Sequence, residues 1–220
     1  MELDIYYCFE VLALATACFK YKALLKTPYK YFLPFLIIIV SYETCTLYGA
    51  FVVKGRNLWI INIVAIFEFL FYSMFIRNII TSPAYKKGIL ISVGVFFVYN
   101  IFSLFIIHGF WNLNISGIIL QTIFIILITG RYFWELLEVP FSSSLSLIKH
   151  PGFWLNTGVL FYYVGEFLFF VSFSYMAYKH NLTYLYVWRF VTNVANAILY
   201  GCLITCFLCL NQIRESSRLS

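Results

Sequence analysis

Seven apolar runs divide this sequence, at about residues 5–22, 31–53, 58–78, 87–108, 115–134, 154–178 and 184–212. Each is long enough, or nearly so, to cross a hydrocarbon layer of roughly 30 Å as a helix. Inside lipid the backbone must satisfy its own hydrogen bonds, so runs of this kind fold as helices. The fold class that follows is an all-α membrane protein, with seven transmembrane helices forming a single integral membrane domain over residues 1–220. The chain is 63% hydrophobic and 11% charged, with a mean hydropathy of +0.88, far from the composition of soluble domains. The start, MELDIYY, is acidic, and no small-residue cleavage site follows the first run. That run is expected to stay as the first span.

The net charge of +6 does not point to nucleic acid, because the basic residues sit almost entirely in short connections. Eleven of them (Lys20, Lys22, Lys26, Lys30, Arg77, Lys86, Lys87, Arg131, Lys149, Arg214 and Arg218) fall in alternate connections and the C-terminal tail, against three (Lys54, Arg56 and Lys179) on the other side. The bias predicts an outside N-terminus and a cytoplasmic C-terminus. The location implied is a cell membrane, the inner membrane if the source is bacterial. Two glycosylation sequons, at Asn114 and Asn181, lie on the predicted outer side. In the connection between the fifth and sixth runs, Ser142 could cap a short interfacial helix carrying Phe141, Leu145 and Ile148 on one side.

Three carboxylates interrupt the apolar runs near their middles: Glu43, Glu68 and Glu166. A charge at that depth costs on the order of 3 kcal/mol even on gentle insertion scales, so these side chains are expected to face the bundle interior. In the seventh run Arg189, Asn193, Asn196 and Tyr200 recur at steps of four, three and four, one stripe of a helix. Glu10 enters the first helix at a depth similar to that of Arg189, so an ion pair between them is expected. The candidate ligand site is Glu43, Glu68, Glu166, Asn193, Asn196, Tyr162 and Tyr200, with Tyr72, Tyr163 and Trp188 as further walls. Two readings remain: a hydrogen-bond network that only fixes packing, or a binding site, favoured because intramembrane carboxylates are functional by default.

An internal repeat is suggested by spacing. Lys26, Pro28 and Glu43 stand at the same separations as Lys149, Pro151 and Glu166. In the flanking helices Glu10 aligns with Gln121, Lys20 with Arg131, Glu68 with Asn196 and Tyr72 with Tyr200. The halves would be residues 1–80 and 115–212, joined by a linker helix at 87–108, and would share one orientation.

Other chemistries are weighed and set aside. Cys202, Cys206 and Cys209 share a helix face, but no histidine is near in sequence, and packing as small hydrophobes is expected. The seventh run has no lysine for a retinal Schiff base, and no hydrolase, metalloprotease or phosphate-loop motif occurs. No metal, cofactor or enzymatic activity is expected.

The three-plus-one-plus-three layout, the outside N-terminus and the size resemble the SWEET sugar transporters and related PQ-loop proteins. The Pro-Gln dipeptide that names the PQ-loop family is absent. That resemblance implies a transporter with a central site, at which Asn196 corresponds in position to a sugar-binding asparagine. Glu68 in the partner position argues against an uncharged sugar. The segments from Trp59 to Tyr72 and from His150 to Tyr163 are also similar to small seven-helix bacterial proteins found beside sensor histidine kinases. The expected function is transport of a small solute, cationic or proton-coupled. The alternatives are a ligand sensor acting through a membrane signalling partner, or a structural subunit. The associations expected are with the bilayer, a small solute or proton and, for the sensor, a membrane signalling partner, with self-association into a homo-oligomer left open.

Overall fold

The computed structural model describes residues 5–53, 55–138, 147–178 and 183–216; at 173–178, 183–185 and 211–216 only the backbone is described. Ser142, Phe141, Leu145 and Asn181, singled out above, lie outside these residues. Seven main helices follow one another among the described residues. They are α1 (Ile5–Phe19), α2 (Phe32–Leu47), α3 (Leu58–Ile79), α4 (Pro83–Phe102), α5 (Ile115–Glu138), α6 (Pro151–Tyr178) and α7 (Thr183–Ser216). Among the described residues six apolar helical stretches are long enough to cross a membrane: Pro28–Leu47, Leu58–Ile79, Pro83–Ile107, Ile115–Glu138, Pro151–Ser172 and Tyr186–Leu210. The protein is thus all-α and of multi-pass membrane type. α1 is also apolar but shorter, at 15 residues. It gives way at Lys20 to a single turn, Tyr21–Leu24.

Proline and glycine set boundaries that hydropathy alone misplaces. α4 and α6 begin at Pro83 and Pro151, a few residues ahead of their apolar runs, because proline at the first helical position lacks only an N–H that would be unpaired anyway. α2 is led by the 3-10 turn Pro28–Tyr31. It stops at Leu47, well before the second apolar run ends. Gly49 takes φ +71°, its N–H donates to Thr46 O (2.9 Å) and that of Ala50 to Cys45 O (3.0 Å). This pair of bonds closes the helix and satisfies its last carbonyls. At the start of α5, Asn114 Oδ1 accepts from Gly117 N at 3.2 Å, a side-chain cap. The same oxygen accepts from the Ser103 hydroxyl at 2.8 Å. The Asn114 sequon is therefore a buried cap in the folded chain and not an exposed acceptor.

Backbone packing runs α2, α1, α7, α6, α5, α3, with α4 outside on α3 and α5, and aromatic side chains of α2 and α3 close the ring. The seams differ in chemistry. Between α6 and α7, a Cβ on Gly158 would lie 2.8 Å from Cys202 Cβ and 3.1 Å from Leu199 O, and one on Gly165 would lie 3.3 Å from Ala195 Cβ. Small residues let these backbones approach, the usual route to tight packing where lipid supplies no hydrophobic drive. α2 and α3 instead meet through aromatic rings: Phe35 stacks on Phe71 at 3.9 Å and Phe32 meets Phe71 edge-on at 4.9 Å. At the end of the bundle where α3 turns into α4, Glu135 Oε2 accepts from the backbone N–H and the hydroxyl of Thr81 (2.7 and 2.8 Å). Its Oε1 pairs with Arg131 at 3.2 Å. The core fills the half of the ring nearest that end, with Phe32, Ile76, Leu155, Leu203 and Phe207 essentially inaccessible.

Candidate functional site

The other half of the ring encloses a cavity of about 270 Å³. Its mouth is marked by Tyr6, Asn57 and Trp188, all near helix ends on the side away from Glu135. Its floor is at the level of Glu68 and Tyr200, about 16 Å deeper by the helical rise from Asn57 to Glu68. Below that floor Tyr72 and Tyr163 meet edge-on at 5.8 Å, both buried. These two tyrosines therefore seal the cavity and do not line it.

Six of the seven candidate ligand residues line this space. Glu43 comes from α2, Glu68 from α3, Tyr162 and Glu166 from α6, and Asn196 and Tyr200 from α7. The Tyr162 hydroxyl donates to Glu166 Oε1 at 2.9 Å, one helical turn away. The Tyr6 hydroxyl donates to Glu43 Oε2 at 3.2 Å. Asn196 spends an amide proton on Thr192 O at 3.0 Å. Glu68 lies within electrostatic reach of Glu166, Glu43 and Glu10, so four carboxylates from four helices are gathered around one volume. None of the described residues that line it is lysine, arginine or histidine.

Asn193 is the exception among the seven. Its Nδ2 donates to Arg189 O (2.7 Å) and its Oδ1 accepts from Tyr6 N (3.5 Å), so it ties α7 to α1 beside the cavity. The stripe that does line the wall runs Trp188, Thr192, Asn196, Tyr200, at uniform steps of four. Reading Arg189 and Asn193 into the stripe turned it by about 100°. Thr192 was missed for that reason, and the regular step of four was the signal that could have found it. Tyr42 and Thr46 were missed too; both neighbour Glu43 on α2 and line the same wall.

The ion pair between Glu10 and Arg189 is not formed. Glu10 is inaccessible and neither carboxylate oxygen has a hydrogen-bond partner, whereas Arg189 is exposed. Depth alone suggested the pair; rotation about the helix axes separates the two groups. Glu10 stands instead behind the cavity wall, within electrostatic reach of Glu43. Cys202, Cys206 and Cys209 are free and buried in the α6–α7 side of the core.

Compared with known proteins, the chain matches no family model, no curated protein and no solved structure.

Proposed function

We propose that this protein is a seven-span membrane transporter, not an enzyme, which binds a small solute, cationic or coupled to protons, at the carboxylate cavity. The observation that carries the reading is the meeting of Glu43, Glu68 and Glu166 from three helices in one 270 Å³ space. Charge held in such surroundings is expensive, so a ligand cation or a proton is part of the working state. α1 serves as the seventh span, with the N-terminus and cavity mouth outside and the basic end cytoplasmic.

The repeat gives this reading a mechanism. Aligned positions share surroundings: Glu43 and Glu166 line the cavity, as do Glu68 and Asn196. Glu10 and Gln121 are both buried with side-chain atoms lacking partners. In this reading the two halves are α1–α2–α3 and α5–α6–α7, with α4 as the linker. Two such halves rocking about the cavity would expose it to each side in turn. Purified protein in liposomes should take up an organic cation or exchange it for protons, and Glu166→Gln should abolish uptake. A sealed wild-type vesicle with no uptake of any cation would end the transport reading. A ligand sensor coupled to a membrane signalling partner is the second reading, favoured by one feature: the Tyr72–Tyr163 seal makes the cavity a dead end.

A further inference from the structure

The shape and charge of the cavity narrow the solute class. The geometry points to a linear organic polycation, two or more ammonium groups on an aliphatic chain without a carboxylate, as the occupant of the cavity between Glu68 and Glu166. This rests on the reading of that cavity as a solute site.

A bare metal ion does not fit. Among the described residues no three acidic, histidine or cysteine side chains come close enough together to hold one ion. The carboxylates are near enough to repel one another but too spread to converge on a point, so positive charge must be distributed along the occupant. Glu10 stands behind the same wall. It is fully buried, neither oxygen is hydrogen-bonded, and it lies within electrostatic reach of Glu43 and Glu68. A zwitterion does not fit either, because no described lining residue is a cation that could receive its carboxylate. Between the acidic groups the walls are aromatic: Tyr42, Tyr162, Phe169, Trp188 and Tyr200. Ring faces attract ammonium groups and give methylenes an apolar surface. Depth and narrow volume favour an extended chain over a bulky ring.

Calorimetric titration of the detergent-purified full chain tests this without requiring flux. The probes are 1,5-diaminopentane, lysine, spermidine, tetramethylammonium and sodium chloride. Lysine differs from 1,5-diaminopentane only by its carboxylate. The diamine should bind at least about tenfold more tightly than lysine, and spermidine more tightly still. Glu68→Gln and Glu166→Gln should each weaken the amines by about tenfold or more. Glu138→Gln, the same charge change at the exposed end of α5, should leave binding unchanged, and melting curves check that each variant is folded. Lysine, tetramethylammonium or sodium binding as tightly as the diamine, or no binding of any amine, would overturn the inference. Amine binding without uptake in liposomes would remove transport and keep the polycation. Uptake of another solute without amine binding would do the reverse.

Discussion

Glu10 combines the least compatible side chain and surroundings among the described residues. A carboxylate with no accessible surface and no hydrogen-bond donor destabilises an empty fold, because burial removes water and nothing replaces it. Glu10→Leu, close in volume, should therefore raise the thermal midpoint of ligand-free protein in detergent. The expected gain is about 1–4 kcal/mol. A lowered midpoint would mean that Glu10 is held by contacts that its surroundings do not suggest. His150, ahead of α6, offers a pH test outside the spans. Burial holds its imidazole below the ordinary value of 6.5, since desolvation penalises the charged form. The unfolded chain thus takes up the proton first as pH falls. The stability tied to neutral His150 is complete above about pH 6.5 and declines below it. His150→Gln should flatten that decline in melts recorded across pH 5 to 7; an unchanged slope would place its origin elsewhere.

Glycine positions show how helix seams divide the stability of the bundle. Any Cβ at Gly158 meets Cys202 and the backbone of Leu199, while one at Gly130 meets nothing within 4 Å. Gly158→Ala should cost about 1–3 kcal/mol through overpacking. Gly130→Ala should be neutral or add about 0.4–1 kcal/mol by restricting the unfolded chain. Equal melting shifts for the two would contradict the close α6–α7 seam. Where α3 turns into α4, Glu135→Gln weakens the bonds to Arg131 and Thr81 and should cost about 1–3 kcal/mol. The helices themselves were largely legible from sequence, since an apolar run in lipid has one backbone solution; the run at 58–78 became Leu58–Ile79. What hydropathy could not read was where local backbone chemistry intervenes, as at Pro83, Pro151 and Gly49. Glu43, Glu68 and Glu166 were legible because a charge in an apolar run has few places to go. Asn193 and Arg189 were not, because helical steps of three and four differ by about 100° and sequence does not fix the rotation.

Across the molecule, most of the described basic residues lie at the end away from the cavity mouth. Arg77, Lys86 and Lys149 sit where α3, α4 and α6 end or begin on the core side, and Arg131 lies about two turns inside the same end of α5. Tyr6, Asn57 and Trp188 frame the mouth at the other. If the basic end is cytoplasmic, the cavity of this conformation faces outward, and that orientation can be read from chemical access. Cys8, Cys18 and Cys45 are exposed on the bundle and are first replaced by alanine. In that background Thr192→Cys, on the cavity wall, should react with a membrane-impermeant maleimide added to intact cells. Spermidine should slow the reaction by occupying the same space. Ser73→Cys, buried beyond the tyrosine seal, should resist the reagent from both sides. Reaction at position 192 only after permeabilisation would reverse the assigned orientation. Reaction from both sides would instead show the two halves exchanging access, the behaviour that separates a transporter from a sensor with a blind pocket.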